Sequence, residues 1–278
     1  MVKKIIALAF CFLAAFSHAA QDAREARKIG VQTFTFAKMT LEELLPAVRE
    51  CGCGAVGLSR HRLSDKFPGA YVSPDMSAEQ KAFLKKILAQ NKIKAVSYGV
   101  ATPASEKAVR KLMKFAREIG AGVVIAEPRP EALPLWDALC AEYGLKVAVH
   151  NHAKDAKRNA EYHDPNFVAD MIKNFPRVFA CPDTGHWGRS GVNCASGLKT
   201  LSGKIAIVHF RDINKFGSLS AYDVPLGTGE LGAKEMLAEL DAQKFGGYLL
   251  LEYGGWWKNS PEQKMSELKR CVEFLKNN

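Results

Sequence analysis

The chain has 278 residues, 47% of them hydrophobic and 24% charged, with a formal net charge of +10. That length builds a core without disulfide staples, as one large domain or two small ones. The basic residues are scattered over amphipathic segments such as Lys81 to Lys92 and Lys107 to Arg117, with no compact basic block carrying interleaved aromatics. The excess charge therefore reads as a solvated positive face and argues against a nucleic-acid partner, while leaving an anionic substrate or surface open.

The first segment speaks to compartment. Lys3 and Lys4 precede a continuous apolar run from Ile5 to Phe16, and Ser17 and Ala19 put small residues at the −3 and −1 positions of a cleavage site. This is the pattern of a secretory signal, too short to span a membrane as a helix. Phe10 stands where a lipoprotein signal before Cys11 wants a small residue. Cleavage near Ala19 or Ala20 is expected, making residues 1–20 the signal and 21–278 the mature domain. The protein is then exported, periplasmic or secreted, with an uncleaved, membrane-tethered form as the alternative. The mature part is close to the ~250 residues of one (β/α)8 barrel. It keeps Cys51, Cys53, Cys140, Cys181, Cys194 and Cys271. An oxidising compartment permits disulfides, and Cys181 with Cys194 is the pair to test first; buried free thiols fit equally.

From Lys28 onward, short apolar runs alternate with amphipathic helical segments. The expected strands are Ile29–Phe36, Ala55–Arg60, Ile93–Val100, Val123–Glu127, Lys146–His152, Val178–Asp183, Ile205–Asp212 and Tyr248–Tyr253. Between them lie helical segments Leu41–Cys51, Ser77–Gln90, Ser105–Ile119, Glu131–Tyr143, Pro165–Phe175, a weak one near Ala195–Leu201, Ala233–Gln243 and Pro261–Leu275. Thr40 with Glu43, and Ser77 with Gln80, have the spacing of capping boxes, and Gly120 and Gly144 stand where helices end. Unbroken apolar runs describe strands covered on both faces, as parallel strands are. Eight repeats in one domain point to a closed α/β fold, a single (β/α)8 TIM barrel. The absence of a glycine-rich phosphate loop after the first strand counts against a dinucleotide fold.

In such a barrel the active site is built at the C-terminal ends of the strands. Here those ends read Glu127-Pro128, His150-Asn151-His152, Asp183-Thr184-Gly185-His186-Trp187, His209-Phe210-Arg211-Asp212 and Glu252-Tyr253. Each residue alone has an ordinary explanation, such as a hydrogen-bonded histidine, a turn aspartate or an ion pair. One divalent metal accounts for all of them together. Mixed imidazole and carboxylate donors suit Mn, Zn, Co or Fe. The segment Asn214–Gly232 is long enough to be either a substrate lid or an ordered Ω-loop.

Cys181-Pro-Asp-Thr-Gly-His-Trp187, with His209-Phe-Arg-Asp212, Pro225-Leu-Gly-Thr-Gly-Glu230 and Glu252, resembles the xylose isomerase-like barrels over essentially the whole mature chain. These include sugar phosphate isomerase/epimerases, ketose 3-epimerases and hydroxypyruvate isomerases. The resemblance implies a metal held by Asp183, His209 and Glu252, with His186 on a substrate-contacting position. The fourth ligand position, a Glu in the epimerases, is His150 in this chain. An imidazole can still ligate, but the paired-glutamate proton shuttle is put in doubt, and Glu127 is available as a ligand or as a base.

The implied chemistry is proton abstraction beside a carbonyl, giving an enediolate. Glu252 is the expected general base, with His152, His150 and Glu127 as candidates for the proton-returning partner. Trp187, Trp256 and Trp257 are expected either to stack on a sugar or merely to cap the barrel. Arg189 and Arg211 are expected to contact substrate or to form ion pairs. Reprotonation on carbon makes the enzyme a sugar isomerase or epimerase; expulsion of a β-substituent from a 3-keto-glycoside makes it a lyase. Phosphodiester hydrolysis, and a metal-free sugar-binding barrel, are the remaining readings. The expected partner is a small carbohydrate, without nucleic acid or further membrane contact, and a homo-oligomer is compatible with the sequence.

Overall fold

The structure is a computed structural model that describes residues 27–157, 159–253 and 260–278. The expected signal segment and Trp256 and Trp257 lie outside the described residues. The first seven strands are β1 (Lys28–Gln32), β2 (Ala55–Leu58), β3 (Lys94–Ala101), β4 (Val123–Ala126), β5 (Lys146–His150), β6 (Val178–Cys181) and β7 (Ile207–Phe210). A short antiparallel hairpin, β8 (Asp212–Ile213) with β9 (Asp223–Val224), precedes the last barrel strand, β10 (Tyr248–Leu251). The eight long strands pair in parallel in the order β6-β5-β4-β3-β2-β1-β10-β7. Bridges Ala180↔Ile205 and Asp183↔His209 bring β6 against β7, so the sheet curls round into a barrel with helices outside. This is the single (β/α)8 architecture expected from the eight alternating repeats.

Local signals explain the helices. Helix Leu41–Glu50 buries Leu41, Leu44, Leu45 and Val48, the i, i+3, i+4, i+7 stripe of a core-facing helix. Thr40 and Glu43 close a capping box at its start, as Ser77 with Gln80 and Ser260 with Gln263 do for helices Ala78–Gln90 and Pro261–Asn277. Such a cap contributes about 1 kcal/mol. Gly144 ends helix Leu133–Tyr143 in the left-handed region at φ 66°, where a side chain would be strained.

Two differences from the sequence reading affect the site. Several strands stop two to four residues before the expected ends, because the chain there leaves the sheet to form the mouth; Thr33–Phe36 is a 3-10 turn rather than the end of β1. The segment after β6 is also not just a turn. Thr184–Ser190 is a short helix capped by the Asp183 side chain, which accepts from His186 N at 2.8 Å. With glycines at 185 and 188 and no apolar repeat, this helix leaves little trace in sequence periodicity.

Trp187 lies on that helix and is 1% exposed. Its indole packs in the core, where a Cβ on Gly197 would come 3.0 Å from the ring, so it does not face the mouth. All six described cysteines are free thiols, five of them buried; Cys181 and Cys194 are not bridged. Among the described residues no helix is long and apolar enough to cross a membrane.

Candidate metal centre and active site

The C-terminal strand ends surround a cavity of about 510 Å³ lined by residues including Gln32, Phe34, Arg60, His150, His152, His186, Arg211 and Glu252. Beneath it, Asp183 follows β6, His209 lies near the end of β7 and Glu252 follows β10, all three buried. Glu252 Oε2 lies 2.8 Å and Asp183 Oδ2 3.9 Å from His209 Nδ1. Donor atoms of the three residues all fall within 4.8 Å of one another.

This donor set fits a divalent cation. His209 Nδ1 is buried without a hydrogen-bond partner; its close approach to Glu252 lacks hydrogen-bond alignment. A buried ring nitrogen aimed between two carboxylates is an expensive arrangement unless something positive completes it. On the other edge of the ring, Nε2 lies 3.3 Å from the Gln32 amide nitrogen, which also donates to Gly99 O at 3.3 Å. The ring is thereby held from behind, as ligand histidines are.

Charge in the site is balanced largely by Arg211. Its Nη1 donates to Asp183 Oδ2 at 2.9 Å, and its Nε and Nη2 bind Asp223 at 3.0 and 2.8 Å. Burial favours the neutral form of Asp183, yet Arg211 and the neighbouring histidines hold its carboxyl well below the usual range. Burial acts the same way on Glu252, but His209 and Arg211 bring it down to about 2. Both groups are carboxylates near neutrality. The close approach of Arg211 also explains Gly185: a Cβ there would sit 2.6 Å from Arg211 Nε.

A second cluster adjoins the first. Glu127 Oε1 lies 2.8 Å from His152 Nδ1 and 3.4 Å from His150 Nδ1, and the other His150 nitrogen is 3.7 Å from Asp183 Oδ2. His150 thus stands between the two carboxylate groups. Burial pulls its pKa down, but Asp183 and Glu127 lift it to about 9. Glu127 is likewise opposed by burial, and hydrogen bonding to His150 and His152 holds it far below the ordinary value. His186, half-buried, is pushed down to about 3 by desolvation and by the Arg211 charge and stays neutral despite Asp183.

The structure therefore gathers His150, Asp183, His209, Glu252, Glu127, His152, His186 and Arg211 at one mouth. Arg211 belongs to the cavity wall, but most of its guanidinium is spent on Asp183 and Asp223. Arg189 does not line the cavity: it donates to Ala221 O at 2.9 Å and Asp223 Oδ1 at 3.1 Å, so it anchors the loop after β7. Asp212 completes that anchorage by accepting the N–H groups of Ile213, Gly227, Gly229 and Leu231. These bonds tie the segment Asn214–Gly232 to the barrel at Asp212 and Arg189. The residues missed in the sequence are those of the first three strands: Gln32, Phe34, Ser59, Arg60 and Val100. Their only signal was position at strand ends, since none is a common ligand or proton carrier.

Comparison with known proteins agrees with this geometry. Residues 45–277 match the family model described as xylose isomerase-like TIM barrel. A crystal structure of a protein from Parabacteroides distasonis ATCC 8503 is similar at 30% identity and TM-score 0.71, covering 90% of this chain and 98% of that one. A xylose isomerase-like TIM barrel protein from Mycobacterium smegmatis, solved in complex with magnesium, has 13% identity and TM-score 0.70, over 91% and 96% of the two chains. D-psicose 3-epimerase from Clostridium cellulolyticum H10, solved with D-tagatose, has 12% identity and TM-score 0.71, over 89% and 97%. The last two likenesses speak to the fold alone. A search of curated proteins found no match.

Proposed function

Because the chain belongs to the xylose isomerase-like TIM barrel family, we propose that it is an exported, divalent-metal-dependent sugar isomerase or epimerase. The observation that carries this reading is the buried Asp183–His209–Glu252 cluster, with a ring nitrogen left without a hydrogen bond between two carboxylates. Asp183, His209 and Glu252 would hold the ion, with His150 beside them as a fourth donor once its proton is displaced. When bound, it would polarise a substrate carbonyl and its neighbouring oxygen.

The remaining steps fall to the chain's own side chains. Glu252 is ionised and lines the cavity, so its carboxylate can take the proton on the carbon beside the carbonyl. His152 places Nδ1 on Glu127 at 2.8 Å, which orients the ring and leaves Nε2 to carry a proton to or from the substrate. His186, kept neutral, offers a polar contact at the same wall. A base on one side and an imidazole–carboxylate pair on the other is a two-sided proton arrangement that does not need the paired glutamates of the epimerases.

One observation favours lyase chemistry as a second reading. Glu127 also lines an adjoining cleft of about 480 Å³ formed by residues including Pro103, Pro128, Arg129 and Trp136. A leaving group could occupy it beside the carboxylate that orients the His152 imidazole, the group that would hand it a proton. Both readings share the first step, so the test is solvent deuterium exchange into D-fructose, D-tagatose and a 3-keto-glucoside with Mn2+ or Co2+ supplied. Exchange is expected for at least one, and Glu252→Gln should slow it by a factor on the order of 10³. A Glu252→Gln variant that exchanges at the full rate contradicts the assignment of the base.

A further inference from the structure

The charged groups of the cavity are unevenly placed. Its imidazoles and its carboxylate, His150, His152, His186 and Glu252, come from β5 and the segments after β5, β6 and β10, whereas on the β1–β3 side the charged lining residue is Arg60. Arg60 follows β2 by two positions and is exposed to the cavity. Its guanidinium carbon lies 4.2 Å from the centroid of the Tyr71 ring, which fixes the plane of the fork without using its N–H donors. Among the described residues no carboxylate lies within ion-pair distance of it. Asp75, which lines the small cleft behind Arg60, is engaged by Lys111, and Asp65 faces Arg62 instead. Arg211, the other lining guanidinium, is neutralised by Asp183 and Asp223. Among the described residues Arg60 is thus the lining guanidinium without a carboxylate partner, standing between the cavity and the small cleft.

The same wall carries Phe34, 50% exposed, Val100, 37% exposed, and Ser59. This gives the cavity two unlike walls: one of imidazoles and Glu252 above the buried Asp183 and His209, and one with a stacked guanidinium beside apolar side chains. A planar fork of this kind matches a carboxylate bidentately. We infer that Arg60 is a specificity-determining residue and that the substrate is an acidic sugar. It carries a carboxylate at the end of the chain remote from the reacting carbonyl, with the C–H face of the sugar against Phe34 and Val100. The inference rests on the carbonyl chemistry proposed above but is tested by binding.

The probes are D-fructose and D-fructuronate, which share a ketose chain and differ in a terminal hydroxymethyl against a carboxylate. Calorimetric titration of the full chain supplied with Mn2+ should show the uronate binding about tenfold or more tighter than the neutral ketose. Arg60→Ala should abolish that preference by weakening the uronate far more than D-fructose, and Arg60→Lys should restore part of it. Circular dichroism and thermal melting of the variants confirm folding; Arg60 is exposed and its removal leaves no buried charge unpaired. Equal affinities for the two probes, failure of the uronate to bind, or an Arg60→Ala loss shared equally by both overturns the inference. Deuterium exchange run on the same samples separates the two ideas: exchange without uronate preference leaves the isomerase reading standing, and uronate preference without exchange leaves Arg60 standing.

Discussion

At the N-terminal ends of the strands, Lys28, Lys94 and Lys146 begin β1, β3 and β5 with side chains in water, while at the opposite ends His150, Asp183, His209 and Arg211 are buried. The two rims of one barrel therefore treat charge in opposite ways. A lysine at the floor keeps its hydration and costs little wherever it points; Lys146 merely lays its ammonium 4.6 Å from the Phe179 ring centroid. A carboxylate or guanidinium at the mouth has given up its hydration, and is tolerable only because a partner sits against it. What the difference teaches is where the fold has accepted a cost that stability alone does not require. The mouth is where that cost buys reactive groups.

The comparison can be broken most forcefully at Arg211. It bridges Asp183 and Asp223, both buried, so Arg211→Met removes the guanidinium against Asp183 and leaves Asp223 to Arg189. Stability should fall by about 3–5 kcal/mol in urea unfolding. A loss below about 1 kcal/mol would mean that the mouth is as forgiving as the floor.

A pH series sharpens the same point. His61, buried beyond the end of β2, is pushed down to about 4 chiefly by burial, against an unfolded value near 6.5. Between those two values the unfolded chain binds the proton that the folded one refuses. The contribution is therefore complete above about pH 6.5 and is lost as pH falls toward 4, by about 3 kcal/mol in all. Replacing His61 with Phe should flatten that acid limb, and parallel stability curves for the two proteins would contradict it.

The floor supplies the smallest expected effect. Lys94→Ala and Lys146→Ala should each change unfolding stability by less than about 0.5 kcal/mol and leave deuterium exchange untouched. A larger change in exchange would show that the floor participates in function.

The same contrast explains how much could be read from the sequence. The barrel was legible because each strand is a short, doubly covered apolar run such as Val123 to Ala126, and each helix carries a stripe or a cap such as Thr40 with Glu43. His150, Asp183, His209 and Glu252 stood out as polar residues directly beyond apolar runs. Trp187 misled because its position near a strand end cannot reveal which way a short helix turns it; the cap at Asp183 rotates it into the core. Arg189 and Arg211 could not be sorted from sequence, since their partner Asp223 comes from a hairpin that no periodicity marks. Arg60 and Phe34 went unnoticed because their types are common on any surface. Their meaning comes from the cavity they share.

The central claim is that the mouth holds a divalent cation on Asp183, His209 and Glu252. Its most direct test is elemental analysis of the full chain after exposure to Mn2+, Co2+ or Zn2+ and exhaustive desalting, beside the Asp183→Asn variant. The account predicts about one tightly held ion per chain in the natural protein, a rise in melting temperature on its binding, and loss of both in the variant. A natural protein that retains no metal and gains no thermal stability from any of the three ions would contradict it.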